Sequence, residues 1–325
     1  MVDANSTLAV QDLMTYFFTK AGVVKAVDGV TFSVNQGRIM GLVGESGCGK
    51  SVTGFSILGL VDSPGRVIGG HILFKGEDLV GASEPQMQRL RGNRIAMIFQ
   101  DPMMPLNPVL RIDTQMIETI RTHEKVSRAE AWRRSRDMLG RIGIPAPEER
   151  LKAYPHQCSG GLRQRVSIAL ALLHKPELII ADEPTTALDV TIQGQILYEV
   201  QKLCRETSTA LIWITHDLAV IAGLADTVCV MYAGKIVESG DVDPVLDVPL
   251  HPYTRGLIGS VPGHCCRGEP LLQIPGMAPL LLNLPEGCTF RPRCPRADDV
   301  CKQMPEATSP RPDREVRCFH PHLVA

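Results

Sequence analysis

The sequence predicts an α/β fold, a mostly parallel sheet covered on both faces, followed by a small irregular Cys-rich C-terminal domain. Three observations predict it. Short, almost wholly apolar runs at residues 39–43, 178–181, 210–215 and 228–231 alternate with segments of helical spacing, the pattern of strands buried on both faces between helices. The chain has 325 residues, 44% hydrophobic and 21% charged, an ordinary globular composition with room for about two folded units. Composition then changes near residue 240: residues 241–325 hold 6 of the 10 cysteines and 14 of the 24 prolines. The larger unit is therefore placed at 1–240 and the smaller at 241–325.

The elements follow in order. Leu8 and Val10, then Val30, Phe32 and Val34, alternate with other residues and read as short strands with a turn at Ala21-Gly22. Residues 39–43 form a buried strand that runs into a glycine-rich loop, residues 51–60 a helix, and 71–74 another short strand. Charges at helical spacing mark 84–92 and 112–142, and the basic run 128–134 reads as a solvated helix face. In 161–174, Val166, Ala169, Leu170 and Leu173 share one helix face, and Pro176 ends it. A helix at 190–206 separates the strands at 178–181 and 210–215.

Composition also excludes. A net charge of −1 argues against bulk nucleic-acid binding. No apolar run reaches the roughly 18 residues of a membrane span, and the first residues lack the basic and apolar regions of a signal peptide.

The chemistry enters at Gly44-Glu45-Ser46-Gly47-Cys48-Gly49-Lys50-Ser51, which lies between a strand and a helix that begins by Val52. It matches GxxxxGK[ST], the phosphate-binding loop. Glycines let the backbone fold tightly enough for several N–H groups to face one anion, at the positive end of the helix. Lys50 is placed to reach the β- and γ-phosphates and Ser51 to ligate Mg²⁺. An acid for the metal follows at the end of the strand 178–181: Asp182 would hold Mg²⁺, and Glu183 would act as general base toward the attacking water. Together they indicate an NTPase.

Four further features narrow it. Ser159-Gly160-Gly161 opens a helix 23 residues before Asp182; Gln100 follows the strand 95–99; Asp189 follows the acidic pair; His216 follows the strand ending at Thr215. In order and spacing, this set resembles an ABC-type ATPase. The resemblance implies a RecA-like core with an antiparallel β subdomain and a helical subdomain at about 101–175. It also implies head-to-tail pairing, in which Ser159, Gly160 and Gly161 of one subunit cap the γ-phosphate held by the other. Gln100 would then touch the metal and sense the membrane subunit, His216 would contact the γ-phosphate, and Asp189 would communicate across the pair. Phe17, with Tyr16 next, is the best match for the aromatic that stacks on adenine. The sequence departs from the family pattern at Cys158, usually Leu, and at Leu162, usually Gln. The second change is familiar in the peptide-transport branch.

The strings Leu42-Val43-Gly44-Glu45-Ser46, Phe99-Gln100-Asp101-Pro102, Tyr154-Pro155-His156, residues 185–191 and His251-Pro252-Tyr253-Thr254 resemble the ATPase subunits of dipeptide and oligopeptide importers. Nickel and other peptide-like solutes share that branch, and the long C-terminal extension favours peptides. The resemblance implies a peripheral subunit on the cytoplasmic face of the inner membrane. Its partners would be two membrane permeases, a second and non-identical ATPase, and indirectly an extracytoplasmic substrate-binding protein, with no nucleic acid. A soluble ABC ATPase acting on DNA or ribosomes is the competing class, and the 132 residues from Lys50 to Asp182 leave no room for the long coiled coil it often carries.

The tail has the pattern Cys288-x5-Cys294-x6-Cys301-x16-Cys318. Four cysteines in an irregular segment suit a metal centre, although the spacing is neither a zinc CxxC pair nor that of ferredoxin. The family resemblance implies a 4Fe–4S cluster; zinc, or thiols without metal, are the alternatives. Cys48, inside the phosphate loop, raises a separate expectation of sensitivity to oxidation against that of a small residue tolerated there.

Overall fold

The protein is described from a computed structural model over residues 6–185, 190–260, 273–311 and 313–322, without the side chains of 190–192. Asp189, Cys265 and Cys266 lie outside the described residues. Two compact units are present: one comprises 1–34, 39–81 and 213–325, the other 35–38 and 82–212.

The first unit opens with β1 (Ser6–Thr19) and β2 (Gly22–Asn35), followed by β3 (Ile39–Val43), α1 (Lys50–Leu58), β4 (Gly65–Phe74) and β5 (Glu77–Asp78). Strands β2, β1, β4 and β5 form a four-stranded sheet in that order. The two N-terminal strands are 14 residues each, longer than the alternation predicts. In β1 the register shifts between Gln11 and Met14, and Asp12 takes φ 47°; this irregularity interrupts the period of two that makes a strand legible. Similarly, β4 begins at Gly65 because Gly65 to Val67 pair with Thr15 to Phe17, although the glycine-rich start carries no apolar pattern.

The second unit contains α2 (Glu84–Leu90), β6 (Ile95–Ile98), α3 (Ile112–His123), α4 (Arg128–Arg141), α5 (Pro147–Leu151), α6 (Gly160–Leu172), β7 (Leu178–Asp182) and α7 (Val190–Thr207). Strands β6 and β7 pair in parallel, Ile95 opposite Leu178 and Ile98 opposite Ala181. All residues of both strands are buried, as their apolar character up to the closing Asp182 requires. Serines start two of the helices: Ser127 accepts from the Glu130 N–H at 3.2 Å and Ser159 from the Leu162 N–H at 3.3 Å.

Strand β8 (Ala210–Thr215) crosses from the second unit into the first. There the chain continues through α8 (Leu218–Leu224), β9 (Thr227–Tyr232), β10 (Lys235–Asp241), α9 (Val242–Asp247), α10 (Pro252–Gly259), β11 (Thr308–Arg311) and β12 (Arg314–Val316). Strand β9 is parallel to β3 and antiparallel to β10, and β12 pairs antiparallel with β10, Val316 opposite Glu238. The tail thus adds two strands to the sheet edge and keeps short 3-10 turns at Arg291–Arg293 and Asp299–Lys302. Its core is aromatic. The rings of Tyr232, Tyr253 and Phe290 lie 4.5 to 5.4 Å apart, and each of the three residues is at most 2% exposed, so three large apolar faces exclude water together.

Candidate functional site

In the first unit, β3 delivers the chain into the phosphate loop and α1 receives it. Two glycines are there for steric reasons. A Cβ on Gly44 would stand 2.1 Å from the Met231 carbonyl oxygen, and one on Gly49, at φ 109°, would stand 2.0 Å from that of Ala26. No side chain fits either place. The loop is closed from within. The Lys50 ammonium, 5% exposed, donates to the carbonyl oxygens of Gly44 at 2.8 Å and Glu45 at 3.0 Å. The Cys48 carbonyl accepts from the Gly234 N–H at 2.9 Å. Ser46 and Gly47 are exposed at the tip, and Ser51 and Val52 are half-buried at the helix start. Burial pushes the Cys48 thiol up, against the pull of the Lys50 charge. A shielded, protonated thiol is a poor nucleophile, which favours the plain packing role.

The loop is also held from outside, by residues that no local pattern points to. The Glu45 N–H donates to the Tyr253 hydroxyl at 2.9 Å. The Glu45 carboxylate receives both terminal nitrogens of Arg293, at 2.6 and 2.9 Å. Arg293 is in turn fixed by donating from Nε to the Pro275 carbonyl at 2.9 Å. Tyr253 belongs to the His-Pro-Tyr-Thr string noted only as a family mark. Arg293 carries no sequence signal toward Glu45, 248 positions away.

His216, also in the first unit, is exposed just beyond β8. Tyr16 donates from its hydroxyl to Asp28 at 2.5 Å, with the Lys25 ammonium 5.6 Å from its ring centre. Burial and the Asp28 carboxylate push that phenol up. Phe17 is half-buried, and its ring covers Gly65 closely enough that a Cβ there would clash at 2.5 Å.

In the second unit, Asp182 ends β7 and is 3% exposed. Glu183 follows at φ 43°, a left-handed conformation that a non-glycine residue holds at a cost and that often marks functional positions. Gln100, 83 residues earlier, donates to the Glu183 carboxylate at 3.3 Å, so the fold brings these two predicted residues together. Ser159 is the N-cap of α6, with Gly160 exposed beside it. Cys158 and Leu162, the two departures from the family pattern, are 6% and 8% exposed. Both act as small or apolar packing residues there, and burial pushes the Cys158 thiol up.

Burial pushes the thiols of three tail cysteines up: Cys288, Cys294 and Cys318. The thiol of Cys318 is pushed up to about 11, first by burial and then by the nearby sulfurs of Cys288, Cys294 and Cys301. Backbone N–H groups face the sulfurs two residues earlier: Arg296 toward Cys294 at 3.4 Å and His320 toward Cys318 at 3.3 Å. Such N–H donors stabilise thiolate sulfur in metal centres. Beside them, ligand atoms of Asp298, Cys301 and His320 lie within 4.8 Å of one another, and His320 Nε2 is 3.0 Å from Asp298 Oδ2.

Comparison with known proteins decides the family. The ABC transporter family matches residues 27–186, and the oligopeptide/dipeptide transporter C-terminal region matches 237–301. The chain is 48% identical over 318 residues to the oligopeptide transport ATP-binding protein OppD of Escherichia coli K12, covering 98% of this chain and 94% of that one. This chain belongs to the ATP-binding subunits of the dipeptide and oligopeptide ABC transporter family. As such a subunit it is also 48% identical to the dipeptide transport ATP-binding protein DppD of Bacillus subtilis 168, over 96% of this chain and 94% of that one. Its fold is that of the ABC cassette: the solved dimeric bacterial cassette MJ0796 superposes with a TM-score of 0.66 at 23% identity, over 72% of this chain and 98% of that one. Among the described residues no helix is long and apolar enough to cross a membrane.

Proposed function

We propose that this subunit hydrolyses ATP to power import of di- or oligopeptides through two separate membrane permeases. It would sit on the cytoplasmic face of the inner membrane and work in a head-to-tail pair with a second, non-identical ATPase, with a substrate-binding protein supplying the peptide. The observation that carries this reading is the near full-length match to transport ATP-binding proteins for peptides, joined to a cassette and a peptide-transporter C-terminal region in one chain. Residues 1–240 serve as the nucleotide-binding domain and 241–325 as its peptide-importer extension.

Each site residue then has a role. The backbone of Gly44 to Val52 cradles the phosphates, and Lys50 takes the β- and γ-phosphates when ATP draws it from the loop carbonyls. Ser51, Gln100 and Asp182 serve Mg²⁺. Glu183 accepts a proton from the water that attacks the γ-phosphorus, while the bond from that phosphorus to the bridging oxygen of ADP breaks. His216 contacts the γ-phosphate, Phe17 or Tyr16 the adenine. Ser159, Gly160 and Gly161 cap the partner's ATP, and Asp189 signals across the pair. Glu183→Gln in the reconstituted complex is expected to keep ATP binding while lowering turnover by roughly 10²–10⁴-fold; undiminished hydrolysis would remove Glu183 from the role of base.

Cys288, Cys294, Cys301 and Cys318 are proposed to hold a 4Fe–4S cluster. The other three thiols acting on Cys318 and the N–H groups facing Cys294 and Cys318 support this reading, with zinc as the alternative. When bound, the group would cross-link a proline-rich segment with little core of its own. The visible absorption spectrum, with iron and zinc analysis, distinguishes the two.

A further inference from the structure

We propose that Arg293 is a positioning residue of the phosphate-binding loop, so that the C-terminal region is a working part of the nucleotide site. This rests on reading the loop as the ATP site. The argument centres on Glu45, the second residue of the loop motif. All three of its polar groups are engaged, each by a different part of the first unit. Its N–H donates to the hydroxyl of Tyr253 from α10 at 2.9 Å, its carbonyl accepts from Lys50 at 3.0 Å, and its carboxylate takes both nitrogens of Arg293 at 2.6 and 2.9 Å. Two planar groups joined by two hydrogen bonds fix orientation as well as distance, which a lysine at the same place would not do.

Arg293 is itself rigid. It is 7% exposed, closes the 3-10 turn Arg291–Arg293, and is anchored by the Pro275 carbonyl and, at 3.4 Å, by the Tyr232 hydroxyl. The preceding Phe290 is locked into the aromatic core with Tyr232 and Tyr253. A second observation points the same way. Residues 278–281 of the tail, with Tyr232 and Ala233, wall a cavity of about 170 Å³ whose other side is Glu45, Ser46, Gly47 and Cys48.

The physical consequence concerns where the loop N–H groups point. An anion cradle works because its donors are aimed before the anion arrives. Glu45 stands between the fixed Gly44 and the exposed tip at Ser46 and Gly47. With its peptide held at N–H, C=O and side chain, the peptides after it start from a set direction. Without Arg293, Glu45 would be a loose side chain on a glycine-rich loop, and ordering it would subtract from ATP affinity.

The test is a double-mutant cycle on the full chain, Glu45→Gln, Arg293→Ala and the pair, with the dissociation constant for Mg-ATP as readout and Lys50→Ala as the control for the site itself. Each single variant is expected to weaken binding by roughly five- to tenfold and the pair by no more than the larger single effect, as for residues that act through one contact. In the assembled complex the KM for ATP is expected to rise with kcat nearly unchanged, and Arg293→Lys to restore only part of the affinity. Glu45→Gln leaves the cysteines untouched, so metal content in that variant separates a loop effect from damage to the tail. Unchanged affinity in both single variants, or fully additive losses, would overturn the proposal. Loss of ATP binding in Lys50→Ala alongside either outcome would leave the ATP-site reading standing, and its retention there would instead overturn that reading.

Discussion

The guanidinium of Arg314 and the carboxylate of Glu238 form an ion pair with both side chains almost wholly inside the protein, 3% and 0% exposed. Each partner is satisfied further. Glu238 accepts from the N–H groups of Leu250 and His251 at 2.8 and 2.9 Å, and Arg314 donates to the carbonyls of Pro244 and Val248 at 2.7 and 2.8 Å. One pair therefore joins β10, β12 and the chain between α9 and α10. Removing one member strands a buried charge, so Arg314→Met is expected to lower stability by about 3–5 kcal/mol. Chemical denaturation of the purified chain measures it, and a loss below about 1 kcal/mol would show that the pair contributes little.

His251 supplies a pH dependence. It is the N-cap of α10 and accepts from the Tyr253 N–H through Nδ1 at 3.0 Å, which only a neutral ring can do. Burial, reinforced by the nearby His322, pushes its pKa from the ordinary 6.5 down to about 3. Between these values the unfolded chain takes up a proton that the folded chain refuses. The stability due to this group is therefore complete above about 6.5 and falls as pH drops toward 3, by about 1.4 kcal/mol per pH unit. Urea midpoints from pH 7 to 5 should show a shallower slope for His251→Asn, which keeps an acceptor and cannot titrate; an identical slope would assign the effect elsewhere.

Gly49→Ala tests the shape of the phosphate loop. Its methyl would meet the Ala26 carbonyl oxygen at 2.0 Å, a backbone atom that cannot swing aside as a side chain could. The expected result is loss of Mg-ATP binding with a stability cost of about 1–3 kcal/mol. Isothermal titration and a thermal melt on the same sample separate the two effects.

If the tail cysteines hold a metal as proposed, the Asp298–His320 contact beside Cys301 would orient donors for it. Cys294→Ser should abolish metal retention, and Asp298→Ala should weaken it by roughly 10–100-fold. Iron and zinc content after dialysis against a graded chelator series gives both. Equal retention in Asp298→Ala and the parent would place Asp298 outside the centre.

What the sequence made legible follows from the range of the interactions. Strands β3, β7 and β8 declare themselves because every residue is buried and all but the closing Asp182 and Thr215 are apolar or glycine, and the phosphate loop because its steric needs are met by closely spaced glycines. Strand β4 hid its first half, since Gly65, paired with Phe17, has no side chain to enter an apolar pattern. The Gln100–Glu183 contact was visible only as two motif residues, each unremarkable in isolation. The hold of Arg293 and Tyr253 on Glu45 was invisible, because contacts separated by 248 and 208 positions leave no periodic trace. The spacing of the four cysteines could not show Asp298 and His320 beside Cys301.

A cut at residue 240 looks harmless on the printed chain, since it falls after β10 has run almost its whole length and spares the entire phosphate loop. Physically it would be severe. It would release Glu45 from two of its three tethers and strip the Glu238 carboxylate of its cation, both N–H donors and the chain that packs on it. Attempts to obtain a minimal cassette from this protein should therefore keep the chain through β12, and any swap of tails between relatives should carry the loop glutamate and the tail arginine together as one inherited unit.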